Sequence, residues 1–306
     1  MMIQIANPIY DSVFKYLMED ERIAKTLLSA LLKKEVVAVE TRRNEYTNGV
    51  RDNISMFRID FGAHVKEPDG TIRLVLIELQ KTWLETETLR FRQYLGAQYS
   101  NPENVPSENN KDGYAIPMVA IYLLGHRVGD INVPVLYVKH KAYDYDGNVV
   151  TDGIPDPFVE SQIHDSIIVQ IPLLHGQVNN RLEKVLSVFD QSQKNGSDRH
   201  VLNVNDSSFD DDDMQYLLRR LLMAAADAQL RQDMNVEDEY FKALEDRDTA
   251  LMIKDKKLAE QAEQLEQNKA QLRTMALLLS NSGMSVEEIA KSVGMSQDQV
   301  KLLLNK

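Results

Sequence analysis

Apolar and polar positions alternate with a period of two along residues 57–66. Phe57, Ile59, Phe61, Ala63 and Val65 fall on one side, and Arg58, Asp60, Gly62, His64 and Lys66 on the other. Val75, Ile77 and Leu79 repeat the pattern further on. This period predicts two half-buried strands. Between them lies Glu67-Pro68-Asp69-Gly70-Thr71. Pro68 presets φ for a type I turn, and Gly70 can take the left-handed conformation that closes a three-residue loop. A hairpin centred on Asp69 sets Asp60 directly across from Glu78, and alternation brings Asp60, Glu78 and Gln80 out on one face.

The pattern elsewhere predicts the surrounding elements. Phe14, Leu17, Ile23, Leu27, Leu28, Leu31 and Leu32 recur at helical spacing, giving one or two helices over 9–32. A strand opens at 36–39 and extends toward Tyr46. Residues 84–99 read as a helix with Leu84, Leu89, Leu95 and Tyr99 on its buried side and Arg90, Arg92, Tyr94 and Gln98 on its polar side. The continuous apolar run 116–124 suits a strand covered on both faces. Strands are also expected over 133–143 and 163–171. Residues 191–208 are polar and read as a linker, and the acidic run 210–213 precedes a strong helix, where it complements the helix dipole.

That helix continues, with a break expected near Asn235, into Leu251, Leu258, Leu265, Leu272 and Leu279, a leucine at every seventh residue. Such spacing is a coiled-coil seam, and the complementary core positions are Asp255, Ala262, Lys269 and Ala276. The leucines either pair with a second chain or pack back on the body; a homodimer is the expectation. In the last 24 residues Ser285 and Glu288 form a capping box, Gly294 ends a helix and Ser296 caps another, a two-helix unit resembling a helix-turn-helix.

Charge changes this picture only locally. The net charge of -12 argues against a general nucleic-acid binder, but residues 1–100 hold 14 basic and 14 acidic residues, so the acid excess lies later. The chain has no cysteine, which excludes disulfides, thiolate metal sites and a cysteine nucleophile and fits a cytoplasmic setting. The opening residues lack a basic signal-peptide start, and no stretch approaches the roughly 20 apolar residues of a membrane span. The six histidines show no metal-ligand spacing. Arg42, Arg43, Arg51 and Arg58 can line a phosphate path or sit on a solvated strand face.

The chemistry therefore rests on the hairpin. Two carboxylates with Cβ atoms about 5 Å apart repel unless something positive lies between them. A hard divalent cation answers this, because Mg²⁺ takes one or two carboxylates and fills its shell with water and phosphate oxygens.

An Asp on one strand, a turn, and Glu78-Leu79-Gln80 on the next resemble the core of the PD-(D/E)xK nucleases. The chain looks most like their Rpn family, the recombination-promoting nucleases also described as transposases, in which Gln commonly stands at the Lys position. Asp11-Ser12-Val13-Phe14-Lys15 in an opening helix and Arg90, Arg92, Tyr94 and Tyr99 after the Glu-x-Gln strand extend the match over roughly residues 7–175. The resemblance implies an α/β fold: a restriction-endonuclease-like core, with a mixed central sheet flanked by helices, over 1–193. A linker and helical region (194–246), a coiled-coil-like helix (247–280) and a helix-turn-helix-like tail (281–306) follow.

It also implies metal-dependent cleavage of double-stranded DNA, with Asp60 and Glu78 holding Mg²⁺ or Mn²⁺ and Gln80 and Asp11 completing the catalytic set. Arg92, Tyr94 and Lys81 are candidate DNA contacts, although alternation turns Lys81 to the face opposite Gln80. Asp11 has a second open role as a helix cap. The competing reading is a nuclease-fold scaffold that has lost its chemistry with the lysine and binds DNA or protein through its coiled coil and tail.

Overall fold

The computed structural model describes residues 2–42, 56–82, 88–104, 116–154, 156–176, 178–206 and 209–304. The chain is α/β. Its strands are β1 (Met2–Ala6), β2 (Val36–Arg42), β3 (Met56–Lys66), β4 (Ile72–Thr82), β5 (Met118–Leu124), β6 (Val135–Val138), β7 (His164–Gln170) and β8 (Val201–Asn205). Its helices are α1 (Asp11–Met18), α2 (Glu21–Leu32), α3 (Thr88–Ser100), α4 (Pro157–Ser161), α5 (Arg181–Leu186), α6 (Asp212–Ala226), α7 (Ala228–Asn281), α8 (Val286–Val293) and α9 (Gln297–Leu304).

The hairpin forms in the expected register. β3 and β4 run antiparallel with Asp60 opposite Glu78 and Ile59 opposite Leu79. The turn closes through Glu67 and Thr71, whose amide and carbonyl bond at 2.8 Å, with Gly70 at φ 85° and the Asp69 carboxylate accepting from the Thr71 amide. The hairpin sits in a mixed six-stranded sheet of order β2-β3-β4-β5-β7-β6, in which β4, β5 and β7 are parallel neighbours.

Each face of this sheet has its own cover. Phe61, Ala63, Val65, Ile77, Leu79, Ile121, Leu123, Ile167 and Val169 join the main core with Val13, Phe14 and Leu17 of α1 and Leu27, Leu28 and Leu31 of α2. The other face buries Leu76, Met118 and Ala120 and meets α3, whose Phe91 ring lies 4.9 Å from Tyr122 of β5. The amphipathic helices α1 and α2 on one side and α3 on the other cover both faces, as a half-parallel sheet requires.

Three stretches differ from the sequence expectations. Residues 201–205, inside the stretch expected as a linker, form β8, which pairs antiparallel with β1 as a separate two-stranded sheet and buries Val201, Leu202 and Val204. The strand expected over 133–143 stops at Val138; Tyr143 and Val149 instead bridge a small surface hairpin. The helical break falls at Asp227 rather than near Asn235, because Asp227 is extended and its carboxylate accepts from the Gln229 and Leu230 amides, starting α7.

The chain divides into two compact units, Met1–Tyr240 and Phe241–Lys306. In the second, α8 carries the expected Ser285/Glu288 capping box and a left-handed Gly294 at its end, and Ser296 and Gln299 bond reciprocally at the start of α9. Ala276, Ile289, Ala290 and Val300 form its small core. Leu258 and Leu265 of the leucine stripe are exposed. Among the described residues no helix is long and apolar enough to cross a membrane.

Candidate functional site

Glu78 and Gln80 lie on the α3 face of β4, both fully buried. Their neighbours follow from the register. Ala120 lies beside Glu78 and Tyr122 beside Gln80 on β5. On β3, Asp60 lies opposite Glu78 and Arg58 opposite Gln80, and on β2 Arg42 lies opposite Asp60. The side chains of Asp60, Arg58, Arg42 and Arg90, and residues 43–55, fall outside what the structure describes.

The Gln80 amide Nε2 donates to Glu78 Oε1 at 2.8 Å. This orientation is the one a carboxylate imposes, because the reverse would set two acceptors against each other. It leaves Gln80 Oε1 buried with no hydrogen-bond partner among the described residues. Leaving such an oxygen unmatched costs about 1–3 kcal/mol. A buried carboxylate beside an unmatched amide oxygen, with a second carboxylate residue opposite in register, is an all-oxygen donor set suited to a hard divalent cation. No group of three or more His, Asp or Glu side chains converges as a metal site among the described residues.

Helix α3 roofs this face. The Tyr99 hydroxyl and His164 Nδ1 of β7 are 2.7 Å apart, and Asn104 Nδ2 donates to both the main-chain oxygen and Oε1 of Gln98. Gln98 is therefore buried and Tyr99 more exposed, the opposite of the expectation; the apolar count misses the polar pair that seals the helix end. Burial pushes the Tyr122 phenol up to about 12, helped by the charge of Glu78 and by Tyr99, so it stays a neutral donor. Burial lowers the His164 imidazole, and His140 adds to this. Arg92 is exposed on α3 and Tyr94 half-buried.

Lys81 and Asp11 meet on the other face of β4. Lys81 is buried, its Nζ 2.5 Å from Asp11 Oδ1 and bonded to the Ile9 carbonyl oxygen. Lys81 thus serves the core rather than a surface contact. Asp11 is not the cap of α1: Tyr10 occupies that position without a side-chain bond. Instead the Glu237 carboxylate, from α7, accepts from the Asp11 amide at 2.7 Å and the Ser12 amide at 2.8 Å. Burial pushes the Asp11 carboxyl up to about 6, with Lys81 pulling it down and Glu237 pushing it up. The next residue, Asp238, binds the Tyr10 hydroxyl at 2.9 Å, His200 at 2.8 Å and Arg199 at 2.8 Å.

The structure therefore brings Glu78 and Gln80 together, sets Asp60 opposite in register, and groups Asp11 with Lys81. Sequence reading missed Glu237, whose only signal was an acidic residue on a long helix; its target lies 226 residues away. No family model matches the chain, and no curated protein or solved structure matches it.

Proposed function

We propose that this chain is a metal-dependent DNA endonuclease of the PD-(D/E)xK type, with the site on the α3 face of the β3–β4 hairpin. The observation that carries the reading is the register of Asp60 against Glu78, together with the buried Glu78–Gln80 pair. The strand–hairpin–helix–strand order β2-β3-β4-α3-β5 in a mixed sheet suits a restriction-endonuclease-like core.

Asp60 and Glu78 would hold the cation, Mg²⁺ or Mn²⁺, which when bound polarises a phosphate oxygen and lowers the pKa of a coordinated water. Gln80 orients Glu78 through its amide and offers Oε1 as an acceptor for the attacking water, but it brings no positive charge. Lys81, tied to Asp11 and Ile9, does not supply that charge from its own face. Tyr122 stays protonated beside Gln80 and can donate a hydrogen bond. Asp11 enters this reading as a positioning residue, through the lysine that fixes the end of β4. Arg92, exposed on α3, and the half-buried Tyr94 remain as candidate DNA contacts.

The test is plasmid nicking by the purified chain and its Glu78→Ala variant with Mg²⁺, Mn²⁺ or EDTA. Metal-dependent cutting by the wild type alone is expected; equal cutting by both withdraws the site. The second reading is a scaffold without chemistry, favoured by the diversion of Lys81 into the core. Absence of cutting by either chain, with both metals, decides for it. Self-association through the exposed leucines of α7 and DNA contact by the α8–α9 tail are compatible with either reading.

A further inference from the structure

Gln80 leaves one task in the site undone. Its amide is committed to Glu78, and the atom it still offers is Oε1. A carbonyl oxygen only accepts, so it can take a hydrogen from water but cannot bind a phosphate oxygen, which also only accepts. Charge grows on the phosphate oxygens as the nucleophile attacks, and a donor from another residue has to meet it.

The neighbouring strand supplies one. β4 and β5 are parallel, and their register sets Tyr122 directly beside Gln80. Both residues lie near the carboxyl ends of their strands, where open α/β sheets bind ligands. The Phe91 ring of α3 lies 4.9 Å from the Tyr122 ring with the planes tilted by 46°, which restrains the ring without using its hydroxyl. The residue after Phe91, Arg92, is exposed at this end of α3. Tyr122 is half-buried, and its hydroxyl bonds to no described residue. The other phenol on this face is committed, because the Tyr99 hydroxyl lies 2.7 Å from His164 Nδ1. Burial and the charge of Glu78 keep the Tyr122 hydrogen in place well above neutral pH.

On the endonuclease reading, on which this rests, we propose that Tyr122 is a catalytic residue that donates its hydroxyl hydrogen bond to a non-bridging oxygen of the scissile phosphate. Gln80 on β4 holds the attacking water, and Tyr122 on β5 meets the phosphate beside it. The phenol keeps its hydrogen throughout. A neutral donor adds little attraction for DNA before the reaction, and its bond strengthens as the oxygen gains charge. Its contribution therefore falls on kcat rather than on KM.

Steady-state plasmid nicking by the full-length wild type, Tyr122→Phe and Glu78→Ala, with Mg²⁺ or Mn²⁺, tests this. Phenylalanine keeps the ring contact with Phe91, so urea unfolding of Tyr122→Phe should match the wild type. Its kcat should fall about 100-fold, with KM for DNA within about twofold of the wild type. Placing 2,3,5-trifluorotyrosine at position 122, whose phenol ionises at much lower pH, should add a falling alkaline limb to the kcat profile that the wild type lacks; a phenol that only packs would not. Wild-type kcat in Tyr122→Phe, with Glu78→Ala inactive, overturns the role of Tyr122 and leaves the endonuclease standing. A rise in KM alone, or an unchanged pH profile with the fluorinated residue, also overturns it. Absence of cutting by the wild type overturns the endonuclease reading and the role of Tyr122 with it.

Discussion

The two faces of β4 bury charge in different ways. On the core face Lys81 meets Asp11, and the Glu237 carboxylate takes the first amides of α1. Each charge there has a counter-charge or a helix end, the arrangement that makes buried ions structural. On the α3 face Glu78 has an amide for a neighbour, and that amide turns an unmatched oxygen into the same buried space. Asp11 Oδ2 on the core face also lacks a hydrogen-bond partner among the described residues; what distinguishes the α3 face is that its carboxylate is bonded by an amide and has a second carboxylate residue opposite in register. Residues 78–81 thus turn Glu78 and Gln80 to one face and Lys81 to the other by alternation alone.

Substitution at Glu78 tests that separation most sharply. On the proposed reading Glu78→Gln drops plasmid nicking to background, while urea unfolding moves by no more than about 1 kcal/mol, since Gln keeps the acceptor that Gln80 needs. A large loss of stability would place Glu78 with the structural ions instead. On the opposite face Lys81→Met should destabilise by about 3–5 kcal/mol, because it leaves the Asp11 carboxyl and the Ile9 carbonyl oxygen buried without their partner. The double change Lys81→Met with Asp11→Asn should recover most of that loss in the same unfolding experiment. Additive losses would show that the two groups are not the coupled pair that their 2.5 Å separation indicates.

Acidity offers a gentler probe. Burial pushes the Asp11 carboxyl up from an ordinary 3.8 to about 6, so the folded state holds its proton more tightly than the unfolded chain does. The group therefore contributes stability that is fully present below pH about 4 and is lost as pH rises through about 6. Desolvation outweighs the attraction of Lys81, and the pair at neutral pH is a net burden relative to the protonated acid. Against Asp11→Asn, which cannot titrate, the wild type should lose on the order of 3 kcal/mol across that window in unfolding measured from pH 3.5 to 7.5. A difference that stays constant with pH would mean that Asp11 is ionised throughout.

How far each face was legible in the sequence follows from the range of its contacts. The Asp60–Glu78 register came from Pro68, Gly70 and period two, all within one hairpin. The caps at Ser285 and Ser296 were equally local. The core-face cluster was not readable, because it joins residues near the N-terminus, on β4 and on α7 that no spacing rule connects. Strand β8 hid in a polar stretch because only its pairing with β1 gives Val201, Leu202 and Val204 a core to enter. Asp227 started α7 through a side-chain cap, while Asn235, the expected break, lies within the helix and bonds back to the Arg231 carbonyl oxygen at 3.0 Å.

The smallest effect concerns the roof of the site. Helix α3 is seated by the Phe91–Tyr122 ring contact and the Tyr99–His164 bond. Tyr99→Phe removes one hydrogen bond from a partly exposed residue and should cost about 1 kcal/mol. If α3 opens separately from the core face, hydrogen exchange of its amides should speed up about fivefold while β4 amides next to Lys81 keep their protection. Equal acceleration in both would show that the roof and the core open as one unit. The contrast between the two faces of β4 would then be one of chemistry only and not of stability, and access to Glu78 would require opening the whole sheet.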